Sequence, residues 1–314
     1  GGAIKVNAGT LSQGMTVALY DYMSQILIEL VKFANLVVSI SRALASAKRV
    51  QTALDTDSET ENEKKHETSD SYIEFRNVGV KYTDGSVGVK NINFKAGKGD
   101  TIGIIGGTGS GKSTIVNLLP RLYDASEGTV FLDGKDVKSY SLKELRKKIG
   151  IALQRPAVFK GTIRSNVSPL GDLSDENINA GIEKAQAADV VKAKESGIDS
   201  VLEQNGRNLS GGQRQRISVA RALAKRPEVL ILDDSSSALD YITDLKLRRA
   251  IKNSDYPVTT FIVSQRASSV AGADKIIVMD EGEIVGIGTA DELRKTCSVF
   301  RETEASQMSG EAKK

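Results

Sequence analysis

The sequence predicts an α/β fold preceded by one membrane-length α-helix, and three features predict it. From Tyr72 onward, short β-branched runs alternate with helical stretches and glycine turns, as in an α/β domain. One of those runs ends in a glycine-rich turn that opens a helix. Upstream, residues 15–40 are mostly apolar over a length sufficient for a hydrocarbon core of ~30 Å at ~20 residues. The 314 residues allow about two domains. A hydrophobic content of 39% with 26% charged residues suits a packed chain and excludes a disordered one.

Within 15–40, Asp21, Gln25, Lys32, Asn35 and Ser39 fall in an arc of roughly 80°, with Ile28 and Leu36 intruding. Such a polar stripe suits a membrane helix that faces water or other helices; a long soluble amphipathic helix has the same pattern. Arg42, Lys48 and Arg49 follow, so the positive-inside rule puts the downstream end in the cytosol. A cleaved signal peptide does not fit, because a basic N-terminal region and a small-residue cleavage site are both missing. Residues 55–71 carry no aliphatic or aromatic side chain that could offset ordering entropy by burial, so they are expected to be a linker. Buried strands are expected at 101–105, 229–232, 260–263 and 275–279, and helices at 111–119, 142–148, 176–187, 212–224 and 241–251. Ser141 with Glu144 forms a capping-box pair. Residues 306–314 are expected to be a frayed polar tail.

Composition narrows the chemistry. Lys+Arg 43 against Asp+Glu 40 leaves +3, and no motif supports nucleic-acid binding. Cys297 is the one cysteine, so neither an internal disulfide nor a zinc cluster is available, and the chemistry is placed in the cytosol. His66, the one histidine, sits in the polar linker, which removes Ser/His/Asp hydrolysis, Cys/His proteolysis and His-ligated metals from the folded part.

After the strand at 101–105, Gly106, Gly107, Thr108, Gly109, Ser110, Gly111, Lys112 and Ser113 match GxxxxGK[ST] and open a helix that continues with Thr114. Glycines turn backbone N–H groups inward, Lys112 reaches the β and γ phosphates, and the Ser113 hydroxyl can ligate Mg²⁺. Downstream, 229–232 is an apolar strand ending in Asp233, as a Walker B segment does, and that carboxylate is placed for hydrated Mg²⁺. Together the two motifs specify Mg²⁺ and a nucleoside triphosphate.

Between them stands Leu209, Ser210, Gly211, Gly212 and Gln213, an LSGGQ string that resembles the signature of the ATP-binding cassette (ABC) ATPases. Small residues and a hydroxyl at a helix N-terminus make an anion site. The resemblance implies that this one serves the γ phosphate of ATP held by a partner chain, in a head-to-tail sandwich with two ATPs between. It also implies a P-loop NTPase (RecA-like) core, an antiparallel β subdomain and an α-helical signature subdomain. Under the same resemblance Tyr82 matches the aromatic that stacks on adenine, although alone it fits a core strand tyrosine. Gln154 matches the glutamine that ligates Mg²⁺, although alone it is a polar loop residue. Residues 237–240, ending in Asp240, look like the D-loop, although Asp240 alone is a helix-start acid. Residues 204–208 sit where exporters meet their transmembrane coupling helices.

Two positions depart from the family pattern. Asp234 stands where the family has a water-polarising Glu, one methylene longer, and a base must lie within ~2.6–3.2 Å of the water it activates. Gln265 stands where the family has its switch histidine; it donates a hydrogen bond but carries no ionisable proton. With Lys112 as the third catalytic candidate, the site is expected to bind ATP and cleave it slowly. Two such sites in a homodimer would both be poor, so a heterodimer follows, with this LSGGQ completing the partner's site. That pattern resembles one half of the heterodimeric multidrug-type ABC exporters of bacteria and also the antigen-peptide transporter.

The resemblance covers residues 9 to 304 or so and implies a divided chain: 1–54 as the end of a transmembrane domain, 55–71 as linker, 72–304 as nucleotide-binding domain and 305–314 as tail. An exporter half has six transmembrane helices and only one is found here, so a C-terminal fragment of a multi-pass membrane protein is expected, with its nucleotide-binding domain cytoplasmic. Its partners would be the second half-transporter, the remaining helices and the lipid membrane. The alternative from another class is a non-catalytic, nucleotide-gated interaction module; a soluble ABC ATPase of DNA repair or translation would carry a large insertion or a second cassette, which the sequence lacks.

Overall fold

The computed structural model describes residues 2–9, 12–55, 67–82 and 84–311. It divides into two units, Gly1–Thr60 and Glu61–Lys314, each described by itself.

The first unit contains α1 (Gly2–Asn7) and α2 (Gln13–Leu54), the latter one helix of 42 residues. Ser12 caps it by accepting from the Met15 amide. The expected span at 15–40 is therefore part of a helix about 63 Å long at 1.5 Å per residue. It runs on because no Gly or Pro interrupts residues 15–55, and Ala43, Ala45 and Ala47 favour helix beyond the apolar stretch. No residue of α2 is buried, and Met23, Leu27, Leu30 and Phe33 are largely exposed. By length and composition α2 can cross a membrane.

Residues 56–66, with His66 and most of the expected linker, lie outside the described residues. Its end is not a free tether: Thr68 bridges Lys135, and the Ser69 hydroxyl donates to the Glu74 carboxylate.

In the second unit β1 (Ile73–Lys81) and β2 (Val87–Ala96) pair antiparallel, and β3 (Thr101–Gly106) leads into α3 (Lys112–Leu118). With β4 (Glu127–Leu132) and β5 (Lys135–Asp136), the antiparallel sheet runs β2-β1-β4-β5. The Ser141–Glu144 capping box starts α4 (Leu142–Lys148), which feeds β6 (Ile149–Ala152). A mostly helical segment follows: β7 (Gly161–Thr162), α5 (Ile163–Val167), α6 (Asp175–Lys184), α7 (Ala188–Lys192), β8 (Val201–Leu202) and α8 (Gly211–Ala224). The helix expected at 176–187 stops short: α6 ends at Lys184, Gln186 takes a left-handed φ of 56°, and a separate helix, α7, begins only at Ala188. The chain then alternates through β9 (Val229–Asp233), α9 (Tyr241–Lys252), β10 (Thr259–Ser264), α10 (Ala267–Val270) and β11 (Lys275–Asp280), and closes with β12 (Glu283–Gly288), α11 (Ala290–Thr296) and α12 (Ser298–Glu311).

The main sheet runs β12-β11-β3-β10-β9-β6, parallel throughout except for β12 at its edge. Its inner strands have continuous apolar middles because both of their faces are covered. The period of two sends alternate residues into separate cores. Ile102, Ile104, Val229, Ile231, Phe261 and Ile277 pack with the antiparallel sheet, while Ile105, Leu230, Leu232, Ile262, Ile276 and Val278 pack with the helices. The C-terminal ends of β3, β9 and β10 thereby converge on one rim, where open α/β sheets hold ligands. The tail expected to fray from 306 is instead helical through Glu311, anchored by buried Phe300 and by Arg294–Glu304 at 2.8 Å.

Candidate nucleotide site

The turn between β3 and α3 needs glycine at two places for different reasons. A Cβ on Gly106 would stand 2.2 Å from the Met279 carbonyl oxygen, so the strand can leave the sheet only without one. Gly111 caps α3 with φ 93°, and a Cβ there would meet Val89 at 2.4 Å. Gly107 and Gly109, in contrast, face open space, leaving room for a bulky group against their backbone. Lys112 is buried, its Nζ donating to the carbonyls of Gly106 (2.9 Å) and Gly107 and to Ser110 Oγ (3.3 Å). Burial holds its pKa below the ordinary lysine value, against the pull of Asp233 and Asp234.

Two cavities meet at this turn. One of about 300 Å³ is lined by Tyr82, Gly88, Gly109, Gly111, Lys112 and Thr114 among others, and the Tyr82 hydroxyl bonds Thr114 Oγ1 at 2.7 Å. The second, about 130 Å³, brings Thr108, Gly109, Lys112 and Ser113 together with Gln154, Asp233, Asp234 and Gln265. Residues from four separate strand ends thus share one cleft. A groove of about 220 Å³ beside α9 lies where β3 and β10 begin, at Thr101 and Thr260, and holds none of the expected site residues.

Inside the cleft Asp233 ends β9, buried, and accepts from Ser113 Oγ at 3.0 Å. Burial raises its pKa, opposed by the Ser113 bond, and so makes a cation a favourable neighbour. Asp234 has φ 45°, a left-handed conformation that Asp tolerates, and its amide donates to the Val263 carbonyl at 2.9 Å. Its carboxylate accepts from Gln154 Nε2 at 3.2 Å. Burial raises the Asp234 pKa as well, while Arg266, Gln154 and Lys112 pull it down. The donor set suits a magnesium nucleotide: a buried ammonium, open backbone, a hydroxyl and two carboxylates with oxygen-only chemistry.

The signature residues are not brought to this cleft. Ser210 caps α8 in a capping box with Gln213, and Arg214 holds the Leu209 carbonyl at 2.7 Å. Gly211 faces open space, whereas a Cβ on Gly212 would stand 2.9 Å from the Ala238 carbonyl oxygen, so α8 abuts the loop before Asp240. Asp240 caps α9 through the Thr243 amide at 2.9 Å, and that bond holds its carboxyl below the ordinary range. Leu209–Gln213 and Asp240 line neither cavity at Lys112. Sequence reasoning missed Gln215, whose Nε2 donates to the Leu153 carbonyl at 3.2 Å and ties α8 to the loop carrying Gln154. A buried glutamine on a helix interior was the signal available, but its partner lies 62 residues away.

Residues 89–237 match the family model described as ABC transporter. The chain carries an ABC transporter ATP-binding domain. The match extends beyond the ABC domain to exporters. Over 93% of this chain and 44% of the relative, it is 39% identical to the "Probable multidrug resistance ABC transporter ATP-binding/permease protein YheH" of Bacillus subtilis. Over 70% of this chain and 38% of the relative, it is 41% identical to the ATP-dependent lipid A-core flippase of Hahella chejuensis. The solved structure of a bacterial Atm1-family ABC exporter with ATP bound superposes with TM-score 0.76 at 28% identity, covering 95% of this chain and 53% of that one. The chain spans about half the length of the relatives it matches. The exporter-type resemblance and the fold class expected with it are borne out, including the antiparallel sheet and the helical segment that carries the signature.

Proposed function

We propose that this chain is the ATP-binding part of one half of a heterodimeric ABC exporter, with a nucleotide site of its own that binds Mg–ATP and cleaves it slowly. The observation that carries the proposal is the pairing of an intact binding set, Lys112, Ser113 and Asp233, with an Asp234 carboxylate bonded to Gln154 and a Gln265 that cannot carry a proton. Bound Mg–ATP supplies in-line phosphoryl transfer to water. Lys112 and the turn amides would hold the β and γ phosphates, and Ser113, Asp233 and Gln154 would hold the ion. Tyr82 stacks on the adenine after releasing Thr114. Asp234, a methylene short and engaged by Gln154, orients the water poorly, and a misplacement of about 1 Å costs ~10²-fold in rate. Closure of the sandwich on ATP binding, more than cleavage, then opens the transport path.

The signature at Ser210 and Gly211 completes the partner's site, which supplies the Glu and His. That it lines neither cavity at Lys112 supports a role in trans. The apolar, unburied length of α2 supports a place in the cell membrane beside further transmembrane helices of a multi-pass protein, with the ABC domain in the cytoplasm and residues 204–208 at the coupling helices.

Mixing tests the division of labour. Purified chain plus a consensus cassette carrying Glu and His is expected to turn over ATP faster than either alone. Gly211→Asp, which the open space accommodates, puts a like charge against the partner's phosphate and is expected to remove about 100-fold of that gain, the scale of losing an anion-stabilising donor. An undiminished rate in the variant would assign the signature no role in trans.

A further inference from the structure

We propose that Gln307 on α12 is a positioning residue that holds the Gln265 segment in place, so that the C-terminal helix sets how well the site distinguishes ATP from ADP. This rests on Gln265 facing the γ phosphate, as proposed above.

The geometry is a two-ended clamp. Gln307 Nε2 donates to the Gln265 carbonyl at 2.7 Å, and Gln307 Oε1 accepts from the Ala267 amide at 2.8 Å. One side-chain amide therefore fixes the backbone on both sides of Arg266. The clamp fills a local deficit. Ala267 opens α10, whose first amides have no partner within the helix, and the cap position is Arg266, which makes no side-chain capping bond. Asn, Asp, Ser or Thr would usually supply that acceptor from the cap itself; here it arrives from 40 residues downstream. On the other side, the Arg266 amide donates to Ser264 Oγ at 3.0 Å, so the turn from β10 into α10 is held from both ends.

That turn carries two groups of the cleft. Gln265 lines it beside Lys112 and Asp234. The Arg266 charge is among the groups that draw the Asp234 pKa down. The clamp is itself anchored, because α12 is fixed by fully buried Phe300 and by the Glu304–Arg294 pair. Withdrawing α12 would leave the Ala267 amide and the Gln265 carbonyl without these partners and free the Gln265 side chain to leave the γ-phosphate direction. ADP, which lacks that phosphate, would not register the change.

The test is titration of the full chain with Mg–ATP and Mg–ADP. Gln307→Leu keeps the side-chain bulk and removes both bonds. Gln307→Glu keeps an acceptor for the Ala267 amide but sets a carboxylate oxygen against the Gln265 carbonyl, so it separates positioning from folding. Both variants are expected to lower ATP affinity about tenfold while ADP affinity stays within about twofold, the scale of one or two net hydrogen bonds. Gln265→Ala is expected to give the same loss, and the double variant no more than either single one. If Gln265→Ala lowers the ATP-to-ADP preference and neither Gln307 variant does, the positioning role is overturned and the role of Gln265 stands. If the Gln307 variants weaken both nucleotides equally, Gln307 is a helix cap only. If neither residue changes the preference, the γ-phosphate role of Gln265 falls and the clamp's role with it.

Discussion

Replacing Lys112 by alanine is expected to weaken Mg–ATP binding by about a hundredfold or more, the value of two charge-assisted hydrogen bonds at ~1.5–3 kcal/mol each. In the structure its ammonium is partly desolvated and held by the Gly106 and Gly107 carbonyls, and Asp233 and Asp234 offset its burial only in part, so an incoming anion is a favourable neighbour. Phosphate oxygens would become its partners with little reorganisation. Lys112→Arg is expected to fail nearly as badly, because a planar fork does not fit the space of a buried point charge. Isothermal titration with Mg–ATP reads the loss, and retained binding of either variant within a few fold would move the phosphates away from this turn.

The second large effect is a gain. Asp234→Glu combined with Gln265→His is expected to raise ATP turnover of the chain, at concentrations that permit pairing, by about a hundredfold. Glutamate extends the carboxylate past the Gln154 contact toward the water, and histidine adds a group that titrates near pH 6.5. The doubly substituted chain should therefore gain a pH-dependent rate between about pH 6 and 8 that the native chain lacks. Phosphate release across that range measures both. No gain, or a gain without pH dependence, would mean that the slow step lies elsewhere than in these two side chains.

The legible and illegible parts of the molecule divide along physical lines. β3, β9, β10 and β11 are readable because a strand covered on both faces needs an unbroken apolar middle, and each has one, Ile102–Ile105, Val229–Leu232, Phe261–Val263 and Ile276–Met279. β1, β2 and β4 carry charged or polar residues among buried ones, and β1 includes bulges at which the register shifts, so no simple run marks them. The break between α6 and α7 turned on one left-handed residue, Gln186, which composition does not announce. The polar composition of the tail predicts fraying, whereas Phe300 and Glu304 tie α12 to the rest and it is helical through Glu311.

The site divides in the same way. The candidate phosphate-binding residues form contiguous strings, since a turn and a helix N-terminus are local structures, and Gly106–Thr114 and Leu209–Gln213 are legible in the sequence. What decides the chemistry is long-range: Gln154 meets Asp234 across 80 residues, and Ser113 meets Asp233 across 120. A loop glutamine and a strand-end aspartate have no sequence feature that says they touch.

The most direct test of the slow-site account is the fate of ATP on the purified chain alone. With Mg–ATP saturating and the chain concentrated enough to pair, the bound nucleotide is expected to be recovered as ATP over a period in which a consensus cassette turns over many times. Steady phosphate release by the isolated chain at a consensus rate would contradict it, since Asp234 and Gln265 would then suffice for catalysis.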